Sequence, residues 1–116
     1  MRVLVCGGRD FMNHRLLNST LDRLHAERNF TWLINGAAQG ADRLALRWAI
    51  GKKLKINSFC PDWKSLGKAA GPIRNQQMVD IGKPDLVVAF PGGKGTADMI
   101  ARARKAGVKI LEISAL

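Results

Sequence analysis

The sequence predicts an α/β protein in which a mainly parallel sheet of about five strands lies between two layers of helices. Three observations support this prediction. Short apolar runs alternate with helical patterns along the whole chain, the apolar runs are continuous, and Gly-rich turns separate several of these runs from the helices that follow. Continuous apolar strands are typical of parallel sheets that helices cover on both faces. The 116 residues contain no linker and no repeat, so we expect a single domain over residues 1–116.

The first strand and the first helix follow from the apolar pattern of the N-terminal segment. Residues 2–6 form an apolar run that ends at Gly7 and Gly8, which predicts a strand and a tight turn. Leucines then recur at helical spacing over residues 13–28, with polar residues between them. This spacing predicts an amphipathic helix.

The same alternation of strand and helix continues in the next segment. Residues 31–35 are strand-like and stop at Gly36, and residues 40–53 have apolar positions on one helical face with arginines on the other. Residues 54–60 predict a third strand.

One long connection, residues 60–84, interrupts the alternation. Its first half is rich in Gly and Pro, and its second half predicts a helix over residues 72–80 with Pro72 in the first turn. A long connection of this kind is usually a wall or a lid of a binding site. Trp63 within it either stacks on a base or packs at the edge of the core. The remaining elements are strands at 85–90 and 108–113, joined by a helix over 96–106.

The charge of the chain indicates an anionic partner. It has 19 Lys and Arg against 9 Asp and Glu, a formal net charge of +10 and a pI of about 10.5. Nucleotide phosphates or nucleic acid fit such a balance. The alternative is a solvated cationic surface that aids solubility, because the basic residues are spread along the chain.

Several classes of protein are disfavoured by the sequence. No apolar run approaches the ~18 residues of a membrane span, and the N-terminus lacks a secretory signal, so we expect a cytoplasmic protein with no membrane partner. Cys6 and Cys60 are far apart, and we predict that both are buried free thiols. His14 and His25 have no second ligand at metal spacing, so no metal site and no cofactor are expected, and no Ser-His-Asp set is recognised.

The segment "FPGGKGTADM", residues 90–99, is the strongest candidate for chemistry. Glycines after a strand let the backbone approach a ligand closely, and a helix that begins at Gly95 or Thr96 directs its N–H groups towards a phosphate. Lys94 supplies a charge. Thr96 either caps the helix or donates its hydroxyl to a phosphate. A tight connection without any ligand is the alternative.

Other loops at the same predicted edge of the sheet carry further candidates, since the carboxyl ends of parallel strands meet there. In "GGRDF", Arg9 can reach a phosphate and Asp10 can cap the next helix. In "NGAAQGAD", Asp42 either caps helix N–H groups or accepts ribose hydroxyls. In "GPIRNQQM", Arg74 can pair with a phosphate and Asn75 can bind a base or ribose edge. Arg74 and Asn75 can each equally be a solvated helix residue.

Four ordered motifs give the chain a specific resemblance. "CGGRDF", "NGAAQGADRLALRWA", "PDWKSLGKAAGPIRNQQMV" and "VAFPGGKGTADMIARA" resemble the YspA/cpYpsA-related branch of the SLOG superfamily. The resemblance covers nearly the whole chain. It implies one SLOG-type domain, a Rossmann-like three-layer sandwich, whose loops bind nucleotides or nucleotide-derived signals, often in phage or conflict-system settings. The resulting ligand-binding candidates are Gly7, Gly8, Arg9, Gly36, Gly40, Asp42, Arg74, Asn75, Pro91, Gly92, Gly93, Lys94, Gly95 and Thr96.

The resemblance also bears on catalysis. The superfamily includes the Lonely-guy phosphoribohydrolases, whose PGGxGTxxE motif carries a glutamate important for cleaving the N-glycosidic bond. That position is Met99 here, and Asp98 lies about 100° away around a helix. The weak catalytic candidates are therefore Asp10, Asp42 and Asp98, and the resemblance favours binding over hydrolysis.

Three functions are weighed on these grounds. The first is binding of a nucleoside phosphate, an ADP-ribose-like molecule or a cyclic signalling nucleotide. The second is hydrolysis of the N-glycosidic bond of the same ligands. The third is binding of single-stranded nucleic acid, which the charge favours but the dispersal of basic residues does not. Because relatives in the superfamily commonly dimerise, we also expect a homo-oligomer, most simply a dimer.

Overall fold

A computed structural model describes residues 1–114 and contains one five-stranded sheet in which every neighbouring pair of strands is parallel. The order of the strands across the sheet is β3-β2-β1-β4-β5. The strands are β1 (Arg2–Cys6), β2 (Trp32–Asn35), β3 (Lys55–Ser58), β4 (Leu86–Ala89) and β5 (Lys109–Glu112). The helices are α1 (His14–Arg28), α2 (Ala41–Gly51), α3 (Trp63–Leu66), α4 (Ala70–Asp80) and α5 (Lys94–Lys105), with a 3₁₀ turn at Gly67–Ala69.

Burial separates the central strands from the edge strands. All four residues of β4 are buried, as are the last four of β1, whereas β3 and β5 each have exposed end residues and two half-buried residues between them. Central strands of a parallel sheet are covered on both faces, which explains their continuous apolar sequences. The predicted third strand, 54–60, is shortened to Lys55–Ser58 because it lies at an edge.

Two apolar cores lie on opposite faces of the sheet. On one face α1 and α2 cover β1, β2 and β4, and the buried side chains include Leu17, Leu21, Phe30 and Trp48. On the other face α4 and α5 contribute side chains such as Met78 and Met99. The protein is thus a three-layer, Rossmann-like α/β sandwich, and the predicted fold class is confirmed.

Some local expectations are corrected. The side chain of Asn13, not Asp10, caps α1 by accepting a hydrogen bond from the Leu16 N–H at 3.0 Å. Helix α5 begins at Lys94, two residues earlier than predicted, after Gly93 in the N-cap position. Both cysteines are free thiols, but Cys60 is exposed since it follows an edge strand, whereas Cys6 is buried in a central one.

The strand order places a crevice between β1 and β4. From β1 the chain passes to β2 on one side, and the later half of the chain builds β4 and β5 on the other side. The register pairs Cys6 with Ala89 at the carboxyl ends of β1 and β4. Ligands of open parallel sheets bind at such a reversal of strand order. Within residues 1–114, no helix is long and apolar enough to cross a membrane.

Candidate functional site

A cleft of about 1110 Å³ opens at the carboxyl ends of β1 and β4. Its walls are the β1–α1 loop, the β4–α5 loop with the start of α5, and the first half of α4. Most of the residues predicted from the sequence line it, namely Gly7, Gly8, Arg9, Asp10, Asp42, Arg74, Asn75, Pro91, Gly92, Gly93, Lys94, Gly95, Thr96 and Asp98. Gly36 and Gly40 lie behind this lining.

Backbone hydrogen bonds join the loops to one another. The N–H of Gly8 donates to the carbonyl of Pro91 at 2.9 Å, and the N–H of Ala41 donates to the carbonyl of Gly8 at 3.2 Å. Gly40 has a φ of +73°, and a Cβ on it would collide with the carbonyl oxygens of Gly8 and Arg9. Glycine at position 40 therefore brings the β1 and β2 loops into contact, although it does not face the cleft.

The turn into α5 is equally close-packed. A Cβ on Gly92 would overlap the hydroxyl of Thr96 and would lie 2.7 Å from the Gly8 nitrogen. Thr96 is buried and makes no capping bond within residues 1–114, so of the two roles considered for it, the capping of α5 is wrong. The N–H groups of Lys94, Gly95 and Thr96 donate no hydrogen bond to any residue between 1 and 114. They leave the positive end of a helix of 12 residues available at the cleft.

Three cationic side chains belong to the lining. Arg74 donates from Nη1 to the carbonyl of Gly36 and from Nε to Oδ1 of Asn75 at 3.0 Å, while its Nη2 has no partner in the described chain. Burial lowers the pKa of Arg74, and the neighbouring Asp42 carboxylate opposes that shift. Arg9 and Lys94 are exposed, and neither forms an ion pair within residues 1–114.

Trp63 lies at the edge of the cleft with 47% of its surface exposed. It is the first residue of α3, and the guanidinium of Arg9 lies 5.6 Å from its ring centroid. Gly71 on α4 lies beneath the indole, where a Cβ would contact the ring at 3.3 Å. The long connection between β3 and β4 thus contributes part of the wall of the cleft, and Trp63 lies within it.

Asp42 is buried and stabilises the loop that precedes α2. Its Oδ2 accepts hydrogen bonds from the N–H groups of Gly36 and Ala38, both at 3.1 Å. The suggestion that Asp42 caps α2 is therefore wrong, because these N–H groups belong to the loop before that helix. Burial raises the pKa of Asp42, and the hydrogen bond from Ala38 and the charge of Arg74 partly offset that rise.

Asn75 connects the two helices of the cleft wall. Its side chain is 4% exposed, accepts from Arg74 and donates to Oδ2 of Asp98 at 2.9 Å and to the carbonyl of Gly95 at 3.2 Å. The Nε of Arg102 also donates to Oδ2 of Asp98 at 2.9 Å. Partial burial opposes ionisation of Asp98, but the hydrogen bonds from Arg102 and Asn75 outweigh it and lower the pKa.

Met99 and Asp98 both contribute to the cleft, although they differ by about 100° around α5. Met99 is 1% exposed and packs in the core beneath α5. At the position of the family glutamate the chain therefore has an apolar core side chain. The nearest carboxylate of this helix is the hydrogen-bonded Asp98.

Sequence reasoning missed an apolar part of the lining. Phe11, Met12, Leu16, Pro72 and Met78 belong to it. Phe11 contacts the ring of Phe90 at a centroid distance of 5.2 Å. The position of "F" directly after "GGRD" was the available signal. The lining thus combines cationic, amide and apolar surfaces, which suits a ligand with an anionic group and a planar or apolar group.

No group of three His, Cys, Asp or Glu side chains within residues 1–114 has the arrangement of a metal site. The chemistry that the described lining offers is that of cations, backbone amides and carboxylates.

Comparisons with known proteins agree with this architecture. Residues 1–65 match the YspA, cpYpsA-related SLOG family. The chain is also 36% identical over 118 residues to the Gene 61 protein of Mycobacterium phage D29, an alignment that covers 95% of this chain and 94% of that protein. The phage relative fits the setting that the motifs imply. By its sequence match and its fold, this chain belongs to the YspA, cpYpsA-related SLOG family.

Proposed function

We propose that the protein binds a nucleotide or a nucleotide-derived small molecule in the cleft between the ends of β1 and β4. Family membership supports a nucleotide-related ligand in general terms. The observation that carries the proposal is the start of α5, where three consecutive N–H groups without a partner in the described chain lie at the cleft. Amides at a helix N-terminus bind phosphate through hydrogen bonds and through the helix dipole.

The surroundings of these amides support a phosphate group. Gly93 and Gly95 have open space where a Cβ would lie, so a ligand can approach the backbone there. The Nη2 of Arg74 has no partner among residues 1–114, and Lys94 adds a second cation. A guanidinium and a helix start together supply directed donors to a phosphate, which is the usual composition of such sites.

Aromatic and apolar side chains of the lining support a base. Trp63 is 47% exposed with the guanidinium of Arg9 over its ring, and Phe11 and Met12 also belong to the lining. Stacking of a base on an aromatic ring contributes roughly 1–3 kcal/mol. A nucleotide has a phosphate for the amides of α5 and a base for these side chains, whereas free phosphate can use the amides alone.

A second function, hydrolysis of an N-glycosidic bond, has one observation in its favour. Asp98 lines the cleft although Met99 replaces the family glutamate. A carboxylate near the ribose stabilises the positive charge that develops during cleavage. Release of free base in the binding assay described next would establish this activity.

The test is a thermal-shift screen with nucleoside mono-, di- and triphosphates, ADP-ribose, NAD, cyclic nucleotides and short oligonucleotides, followed by an assay for free base. We expect a stabilising small molecule whose effect is abolished by Gly93→Asp, which places a carboxylate in the open space at the amides. Gly51→Asp is the matched control, because Gly51 is also open and lies on α2 outside the cleft.

A stabilisation by oligonucleotides alone, removed by salt, would contradict the proposal. That result would mean that the protein binds nucleic acid through its net charge of +10 and not a small molecule in the cleft. Equal loss in Gly93→Asp and Gly51→Asp would also contradict it, since the effect would then be one of net charge.

A further inference from the structure

The carboxylate of Asp98 has one oxygen committed to the protein and one that is not. Asn75 and Arg102 both donate to Oδ2, and Oδ1 accepts no hydrogen bond from residues 1–114. The side chain is 30% exposed and belongs to the lining of the cleft. An acceptor is therefore available at a fixed place in a cleft that is otherwise dominated by donors.

This acceptor restricts what a ligand can place beside it. Hydrogen bonds from Arg102 and Asn75 lower the pKa of Asp98 against the effect of partial burial, so the group is ionised at neutral pH. An ionised carboxylate repels phosphate, and like charges at close range disfavour binding. The part of the ligand next to Asp98 must instead present hydrogen-bond donors.

The position of Asp98 on α5 identifies that part of the ligand. Asp98 follows Lys94 by four residues, which is about 6 Å along a helix axis at 1.5 Å per residue. The amides of the first turn of α5 are the proposed phosphate site, and in a nucleotide the sugar is the group next to the phosphate. Sugar hydroxyls are donors that a carboxylate oxygen accepts.

We propose that Asp98 accepts a hydrogen bond from the ribose 2′-hydroxyl of the bound nucleotide, so that the cleft prefers ribonucleotides to 2′-deoxyribonucleotides. The inference rests on the proposed function and adds the class of sugar. Asn75 is the positioning residue, because one amide holds Asp98, Arg74 and the carbonyl of Gly95 together. The partners of the sugar and the phosphate thus belong to one hydrogen-bonded set.

The other two carboxylates of the cleft fit this role less well. Asp42 is buried, and its Oδ2 already accepts from the N–H groups of Gly36 and Ala38. Asp10 is exposed on the β1–α1 loop and shares no helix with the amides. Asp98 alone among the three combines a fixed carboxylate with a place on α5.

The test compares ribonucleoside 5′-monophosphates of the four common bases with their 2′-deoxy counterparts and with inorganic phosphate by titration calorimetry. The wild-type protein should bind at least one ribonucleotide about tenfold or more tightly than its 2′-deoxy form, as expected for a hydrogen bond to a charged group. In Asp98→Asn the amide oxygen can still accept from Asn75 and Arg102, but the second atom becomes an uncharged donor, so the hydroxyl loses its hydrogen bond to a charged group. The preference should then fall to within about twofold, with phosphate affinity not reduced, because a negative charge is removed.

The control is Asp80→Asn, the same chemical change on α4 at a carboxylate that accepts from Gln76 outside the cleft. It should keep the full preference. Equal affinity of the wild-type protein for a ribonucleotide and its 2′-deoxy form overturns the inference and leaves the proposed function standing. A preference retained in Asp98→Asn also overturns it, whereas failure of every nucleotide to bind overturns both. If Asp98→Asn does not fold, the wild-type pair and Asp98→Ser decide the question in the same way.

Discussion

Removal of the Asn75 side chain should loosen the contact between α4 and α5 and destabilise the whole protein. The amide is 4% exposed and makes three hydrogen bonds, to Arg74, Asp98 and the carbonyl of Gly95. Each bond contributes roughly 0.5–1.5 kcal/mol net, and more where the partner is charged, as it is for two of them. Asn75→Ala should therefore lower the free energy of unfolding by about 2–4 kcal/mol, which corresponds to a fall in Tm of about 8–16 °C for a chain of this size.

The measurement is urea unfolding followed by circular dichroism, with Gln77→Ala as the control. Gln77 lies on the same helix, is exposed and has no side-chain hydrogen bond in the described chain. The control should change stability by no more than about 0.5 kcal/mol. If Asn75→Ala were as mild as Gln77→Ala, the three bonds would contribute nothing and our account of the cleft wall would be wrong.

Four further predictions concern the titration of two carboxylates, the reactivity of the thiols and the backbone freedom of one glycine. The pKa of Asp98 lies below the ordinary value of 3.8, so its stabilising contribution is full above that pH and is lost as the pH falls through the folded-state pKa. In urea unfolding, the stability difference between wild type and Asp98→Asn should therefore shrink below about pH 4. The pH dependence of stability that Asp42 contributes has the opposite sign, because burial raises its pKa: stability is lost as the pH rises above 3.8 through the folded-state pKa. An NMR titration should place the midpoint of Asp42 above 3.8. Burial raises the pKa of Cys6 to about 12, so a thiol reagent should modify the exposed Cys60 and should reach Cys6 only after unfolding. Mass spectrometry measures this labelling, and rapid labelling of Cys6 in the native state would contradict its burial. Gly95→Ala has open space for its methyl group within the first turn of α5 and should raise the free energy of unfolding by about 0.5–1 kcal/mol, so a loss of stability would mean that this turn is strained.

The local pattern of the chain was enough to predict the succession of strands and helices and the Gly-rich edge of the sheet. Residues 2–6 were predicted as a strand and form β1, and the leucine spacing of 13–28 matches α1 to within one residue. Apolar periodicity records which faces are buried, and that information is local. The candidate loops could be grouped at one edge because crossovers between parallel strands have one hand.

Helix starts and side-chain partners were less accessible to sequence reasoning. Capping was one of two roles considered for Thr96, yet α5 begins two residues before it. Asp42 accepts hydrogen bonds from the preceding loop rather than from its own helix. Side chains such as these have several partners within reach along the chain. The packed loops select among those partners, since a buried polar group must find one.

The sequence by itself determined the fold class, the family and the group of loops that meet at the ligand edge, because those depend on periodicity, glycine positions and motif order. Only the tertiary structure decided which strands lie at the edges, that Cys60 is exposed, and that Asn75 joins Arg74 to Asp98. Asn75 and Asp98 are 23 residues apart on different helices. The physical reason is that such contacts arise from the packing of α4 against α5 over the same face of the sheet, and no local pattern encodes that packing.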